Sequence, residues 1–398
     1  MIRRDVYLKK LEMYAGRDVV KIVIGMRRTG KTTIFQQFIE ELKEEGVPEE
    51  NIIYINFEGL VFSYFRSASD LRGMLAEFLQ AAEGRTYFFL DDMQGVEGWA
   101  GVLGEMMDLH DCEFYISSSN ESILYETFAA DLSYRYVKID VYPFVFSEFL
   151  EITGETGRSR EDLFEEYLRR GGLPAAYSLS PDQLENYYRD TYNAILLKDV
   201  VQCNKLRDVS HIDKIMDYLL THLGETFSPK GIRDYVKDRG ITISVDTVYS
   251  FLDALCGARL VYRVPRYDIK EERELETQEK YYFADIPMRN AVCGEAEVSR
   301  EAVLESTLFM ELLSRNFKLN VGKYGTSQID FIAFKGEDRT YLNCCDLLET
   351  KEDIKREFTT LVHIRDNYFK MVLSMNPETK VNKGGIINYP LIRFLEQE

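Results

Sequence analysis

The run Gly25-Met-Arg-Arg-Thr-Gly30-Lys31-Thr32 follows the spacing GxxxxGK[ST], and each residue type has a chemical reason to stand where it does. Glycines at both ends let the backbone turn until its N–H groups converge on phosphate oxygens. Lys31 brings a cation to the β- and γ-phosphates, and the Thr32 hydroxyl is a hard oxygen ligand for Mg²⁺. Arg27, Arg28, Thr29 and Thr33 complete the cradle. The expected ligands are therefore ATP and Mg²⁺. A glycine-rich turn with a surface lysine would carry the same letters. Here, however, the run follows an apolar β-rich stretch and opens a helical one, which sets the anion at a helix N-terminus.

A Mg²⁺ site of this kind needs a carboxylate at the end of a neighbouring apolar strand. Tyr87-Phe-Phe-Leu90-Asp91-Asp92 offers two. Asp91 is expected to hold the metal through water, and Asp92 to stand where a base polarises the attacking water. Phe114-Tyr-Ile-Ser-Ser-Ser-Asn120 ends a second apolar strand with an amide that would sense the γ-phosphate. Arg135 follows soon after, a candidate arginine finger or phosphate sensor, although a surface arginine would look the same.

These groups need a scaffold, and residues 1–155 read as one. Short apolar runs at 19–24, 52–56, 86–91, 113–118 and 136–141 alternate with helical stretches at 32–45, 70–82 and 99–109. That alternation predicts a parallel sheet with crossover helices, and runs apolar throughout are expected where both sheet faces are covered. The polar stretch 155–162 reads as a linker. Helices follow to about residue 222, broken at Gly171-Gly172-Leu173-Pro174. The segment 210–265 reads helix, helix, helix, apolar strand, and the charged stretch 269–280 separates it from a C-terminal part. There, strand-like runs at 317–321, 328–334, 341–347 and 371–374 alternate with helices.

Composition bounds the rest. At 398 residues the chain has room for two to four domains. A hydrophobic share of 45% excludes wholesale disorder. The net charge of −18 excludes non-specific coating of nucleic acid, so any such contact must come from a local patch. No apolar run approaches the 18 or so residues of a membrane span, and the N-terminus lacks an apolar signal core. Six cysteines without a CxxC spacing and four scattered histidines give no zinc cluster. The expectation is a reduced, cytoplasmic, multidomain protein with no membrane partner.

Together these stretches resemble a prokaryotic family of AAA+-type ATPases that joins a P-loop ATPase to a winged helix and a C-terminal nuclease-like domain. The likeness spans nearly the whole chain. It includes GMRRTGKT, YINFE at 54–58, FLDDMQ at 89–94 with Trp99, SSSN at 117–120 and PFVFSEFL at 143–150. Further on come RRGGLP at 169–174, LLKDVV at 196–201, KYYFADIPMRNA at 280–291, LES at 304–306, VGKY at 321–324, IDFIA at 329–333 and REF at 356–358. The chain departs from the family at three places. Asp91-Asp92 replaces Asp-Glu, Ser117-Ser118-Ser119-Asn120 replaces Thr-Gly-Ser-Asn, and Tyr134-Arg135 replaces Gly-Arg.

The resemblance implies an ASCE-type parallel α/β sheet over residues 1–155, a helical lid over 156–209, a winged helix over 210–268 and a restriction-endonuclease-like α/β domain over 269–398. In the winged helix, one helix opens at Phe227-Ser-Pro-Lys230-Gly-Ile, and the helix starting near Ser244 would enter a DNA major groove. Eight basic and eight acidic residues between Leu206 and Pro265 leave that segment about neutral. In the nuclease-like domain, Glu305 and Asp330 match two metal-binding acids. Asn343 and Cys345 stand where Glu and Lys belong, so a metal-independent structural or binding role is expected there. Cys344 and Cys345 read as buried, inert thiols. The resulting expectation is an ATPase switch coupled to its C-terminal modules, with a protein partner or homo-oligomer, or double-stranded DNA at the winged helix. The alternative is a non-hydrolysing nucleotide-binding scaffold that recruits a protein or DNA partner.

Overall fold

The computed structural model describes residues 2–125, 127, 135–154, 157–204, 211–293, 298–378, 380–381 and 383–397. Tertiary contacts divide the chain into two compact units. The first holds Met1–Val141 together with Ala194–Leu206 and Gly257–Arg259; the second holds Tyr142–Asn193, Arg207–Cys256 and Leu260–Glu398. The first unit thus closes at Val141 rather than at 155, and it takes back a piece of the expected lid.

In the first unit, β1 (Val20–Ile24), β2 (Ile52–Asn56), β3 (Thr86–Asp91), β4 (Cys112–Ser118) and β5 (Tyr136–Asp140) lie within one residue of the expected strands. All pair in parallel, in the order β2-β3-β4-β1-β5. Among the described residues the sheet is covered by α1 (Asp5–Tyr14), α2 (Lys31–Glu44), α3 (Ala68–Ala81) and α4 (Trp99–Leu109). Side chains alternate across each strand. Ile22, Ile24, Phe88 and Leu90 pack with Leu71, Trp99 and Leu103 on one face. Val23 and Phe89 pack with Leu11, Phe35 and Phe38 on the other. This two-sided burial is why the strands read as continuous apolar runs. The sheet order sets β4 between β1 and β3, so the loops after all three strands emerge side by side at one edge.

The second unit is built on a mixed sheet in the order β13-β14-β12-β11-β10-β9-β7-β8-β6. Its strands are β6 (Thr226–Phe227), β7 (Val261–Asp268), β8 (Arg273–Phe283), β9 (Lys318–Tyr324), β10 (Ser327–Lys335), β11 (Asp338–Cys345), β12 (Phe369–Ser374), β13 (Lys380–Val381) and β14 (Ile387–Pro390). Residues 269–280 do not separate two domains. They form the turn and much of the second arm of an antiparallel hairpin, β7 with β8, and β7 pairs on its other side, in parallel, with β9. Charge misled the reading here, because the hairpin turn and the start of β8 carry exposed Glu271, Glu272, Arg273 and Glu274. Among the described residues no helix is long and apolar enough to cross a membrane.

Candidate phosphate-binding site

The loop after β1 is shaped by close approach. A Cβ on Gly25 would sit 2.3 Å from the Val141 carbonyl oxygen, so only glycine fits. Gly30 takes a left-handed backbone (φ 94°) at the start of α2 and offers no side-chain cap, leaving the first N–H groups of that helix open for an anion. Lys31 is buried, with Nζ donating to the Gly25 carbonyl at 2.8 Å and the Met26 carbonyl at 3.1 Å. Burial lowers its pKa, while Asp92 and Asp91 support its charge. Thr29 donates to the Met26 carbonyl at 2.9 Å, and its own carbonyl accepts from buried Arg4 at 3.0 Å. Arg4 has no motif to announce it. Arg28 is exposed, and Thr33 is half-buried in the first turn of α2.

Thr32 and Asp91 come together: the hydroxyl donates to Asp91 Oδ2 at 2.6 Å. The same oxygen accepts from Tyr54 at 2.8 Å, and Oδ1 accepts from Ser117. Ser117 in turn accepts from the Asp92 N–H at 3.0 Å. Asp92 has a left-handed backbone (φ 58°), a conformation Asp tolerates better than most residues, and this turns it off the strand axis. Burial raises its carboxyl pKa to about 6, with Lys31 opposing and Asp91 adding to the rise. Its side chain lines a cavity of about 610 Å³ together with Arg27, Glu58, Trp99 and Asp199. Hydroxyl and carboxylate oxygens are the donors Mg²⁺ prefers. Among the described residues no group of three or more His, Cys, Asp or Glu is arranged to hold a metal. An ion at Thr32 and Asp91 would therefore complete its shell with phosphate and water.

Asn120 is placed at the right strand end but is engaged elsewhere. Its Nδ2 donates to the Asp199 carbonyl at 2.5 Å, and its Oδ1 accepts from the Ser122 N–H at 2.8 Å. Arg27 is gripped from two sides. It meets Glu58 through Nη1 and Nη2 and Asp199 through Nε and Nη2, all four contacts at 2.8 Å. Burial opposes the Arg27 charge, yet the two carboxylates hold its pKa above the usual value. Glu58, despite its own burial, is drawn down to about 2 by Arg27 and Lys198. The stretch LLKDVV hid this partner, since nothing in its letters marks Asp199 as buried beside the loop. Arg135 lies at the entry of β5, paired with Asp108 at 2.7 Å and Asp18 at 2.5 Å. In a parallel sheet that edge is opposite the phosphate loop, so Arg135 does not join the site of its own chain.

In the second unit, Glu305 lies on the helix Arg300–Ser314, Asp330 on β10, and Asn343 and Cys345 on β11. A lysine from β8 reaches these acids. Lys280 Nζ lies 2.6 Å from Glu305 Oε1 and 3.9 Å from Asp330 Oδ1. Tyr282 also donates to Glu305, and the Cys344 N–H donates to Asp330 at 2.9 Å. Burial raises Glu305 to about 7, with Lys280 opposing. Cys344 and Cys345 are free and buried, and burial raises both thiols.

Residues 17–150 match the AAA domain, and residues 161–299 match a domain of unknown function (DUF8612). The second match runs across both the 209/210 and 268/269 boundaries expected above. Among solved structures, the Walker-type ATPase of Pyrococcus abyssi is similar at 14% identity with a TM-score of 0.49, over 73% of this chain and 96% of that one. DnaA from Aquifex aeolicus, bound to AMPPCP, is similar at 14% identity with a TM-score of 0.32, over 63% and 87% of the two chains. An uncharacterised protein of Methanocaldococcus jannaschii is 24% identical over 89% of this chain and 79% of its own length. An uncharacterised protein of Haemophilus influenzae is 30% identical over 94% of this chain and 93% of its own. That likeness, nearly end to end on both sides, places the chain in the same family as the Haemophilus influenzae protein, with an AAA-type P-loop domain in its first unit.

Proposed function

We propose that the chain is a Mg²⁺-dependent ATPase switch. The observation that carries the reading is the meeting, at one sheet edge, of three elements: Lys31 in the loop, Thr32 hydrogen-bonded to Asp91 at 2.6 Å, and Asp92 lining the adjacent cavity. Lys31 and the open N–H groups of α2 stabilise charge on the phosphates. Mg²⁺ held by Thr32 and Asp91 supplies neutralising charge when bound. Asp92 orients water and takes its proton as the water oxygen bonds to the γ-phosphorus. The bond to the β–γ bridging oxygen breaks, leaving ADP and inorganic phosphate. A pKa near 6 keeps Asp92 ionised at neutral pH and still basic enough to act.

The test is ATP hydrolysis by the purified protein beside Lys31→Ala and Asp92→Asn. Turnover that both substitutions abolish establishes the ATPase. Tight ATP binding without phosphate release from the unaltered chain would instead establish the non-hydrolysing scaffold. Asp92 favours that second reading in one respect: it is a C–C bond, about 1.5 Å, shorter than glutamate. Asp92→Glu raising turnover would mark the natural residue as set toward binding.

We read 212–283 as the winged helix. Support comes from its order: helix Ile212–Thr221, β6, helix Pro229–Lys237, helix Val245–Gly257, β7, β8, with β8 paired to both β6 and β7. The helix Val245–Gly257 exposes Asp246, Tyr249, Ser250 and Asp253 along one face, with Asp253 paired to Arg263 at 2.6 Å, so these four residues offer no positive charge to draw a phosphate backbone. Its partner is therefore a protein, a second copy of this chain included, and double-stranded DNA should not stimulate turnover. The nuclease-like domain, over roughly 284–398, acts without metal, since Lys280 already neutralises Glu305. Six free cysteines support a reducing, cytoplasmic setting.

A further inference from the structure

We propose that Asp199 is a positioning residue that reads the γ-phosphate in cis, holding Arg27 and Asn120 away from the phosphates until a nucleoside triphosphate takes them over. The proposal rests on the ATP-binding reading above and adds to it a route out of the site.

The geometry is specific. Asp199 lies on Ile195–Gln202, a helix of widened turns in which the Cys203 N–H reaches back five residues to the Lys198 carbonyl. Such turns recur where a helix must present one residue at a functional site. The Asp199 side chain is buried. It receives two hydrogen bonds from Arg27 and one from Ser119 at 2.5 Å, while its backbone carbonyl receives Asn120. One residue therefore holds the arginine of the phosphate loop and the polar end of β4, the two groups nearest in chemistry to a γ-phosphate sensor. Arg27 spends Nε, Nη1 and Nη2 on Glu58 and Asp199. These bonds use four of its five N–H groups, so a bidentate contact with a phosphate requires it to release a carboxylate.

Triphosphate and diphosphate differ here. A γ-phosphate brings about two negative charges to the Lys31 end of the loop. It competes for the Arg27 guanidinium as a bidentate acceptor, and it repels Asp199 and Glu58. A buried carboxylate that loses its cation is strongly disfavoured where it stands, so Asp199 is driven toward water, and Ile195–Gln202 with it. ADP lacks the competing charge and leaves the clamp closed. The segment is placed to transmit this. The chain enters it directly from the helix Pro181–Ala194 of the second unit, and it returns to that unit after Leu206.

Cys203 supplies the readout. It lies four residues beyond Asp199 and lines the same cavity, and burial together with the Asp199 charge raises its thiol to about 11. While the clamp is closed this thiol is protonated and slow to alkylate. The experiment follows N-ethylmaleimide labelling of Cys203, resolved by peptide mass spectrometry. The protein is left free, given Mg²⁺-ADP, or given Mg²⁺-AMPPNP, and binding of each nucleotide is measured by titration calorimetry on the same samples. AMPPNP should speed Cys203 labelling by about tenfold and ADP should not, a coupling of ordinary size. Asp199→Asn should label fast in every state and shift the AMPPNP-over-ADP affinity ratio upward by about tenfold. Ser119→Ala, which removes one contact to Asp199, should move both readouts the same way by less. Equal labelling with two nucleotides that both bind overturns the proposal and leaves the ATP-binding reading standing. Failure of either nucleotide to bind overturns both.

Discussion

At the scale of residues, Asp92 carries two loads that pull against each other. As the proposed base it must be ionised, and as a half-buried side chain beside Asp91 it resists ionisation, which is why its pKa rises to about 6. Turnover should therefore climb between pH 5 and 7 with a midpoint near 6 and then level, and a steady-state pH profile measures this. The stability consequence has a definite sign. The folded state holds this proton more tightly than the unfolded chain, so stability is fully present below about pH 4 and declines as pH rises through 6. Asp92→Asn removes that decline. Discounting for partial exposure, it should be more stable than the unaltered protein by about 1–2 kcal/mol at pH 7.5, a gap that narrows toward pH 4 in denaturant titrations. The loop, Thr32, Asp91 and Asp92 were legible as letters because phosphate chemistry needs those types at those spacings. Asp199 and Arg4 were not legible, since a lone acid or arginine far along the chain has no spacing to betray it.

At the scale of elements, close backbone approach explains why particular glycines stand at particular joints. A Cβ on Gly172 would lie 2.5 Å from the Phe144 carbonyl oxygen and 2.6 Å from Pro143, and Gly172 also donates to Asp285 at 2.6 Å. RRGGLP and PFVFSEFL, far apart in sequence, are here one joint, with Asp285 from FADIP closing it. Gly172→Ala should destabilise the second unit by about 2–4 kcal/mol, visible as a lowered melting temperature with nucleotide affinity retained. The Lys280–Glu305 pair makes a parallel case. Lys280→Met strands a buried carboxylate and should cost about 3–5 kcal/mol, while Lys280→Met with Glu305→Leu should recover most of the loss. The first-unit strands were readable to within a residue because burial on both faces makes each one a solid apolar run. β6, two residues long, and β8, half polar, offered no such contrast.

At the scale of the whole molecule, two separate cores predict two unfolding events. Calorimetry should resolve them, and Mg²⁺-ATP at a hundredfold above its Kd should stabilise only the first-unit transition, by about 2.7 kcal/mol. A single transition that moves as one would mean that the units unfold together. The units are not consecutive stretches: Ala194–Leu206 and Gly257–Arg259 belong with the phosphate-binding unit although the second unit surrounds them in sequence. Boundaries placed at 155 and 268 followed polar composition, and composition records exposure rather than which core a segment joins.

The sequence by itself determined the parallel sheet of the first unit, the glycine-rich loop with Thr32 and Asp91 beside it, and the acids and thiols of the C-terminal part. Each of these is dictated by local periodicity or by reaction chemistry at fixed spacing. Only the tertiary structure decided that Asn120 and Arg27 are tied to Asp199, that Arg135 faces the opposite sheet edge, and that Lys280 pairs with Glu305. It also decided that 269–280 continues a sheet instead of linking two domains. Those outcomes depend on which buried charge meets which partner across tens of residues, and pairing over such separations is set by packing, which no local pattern encodes.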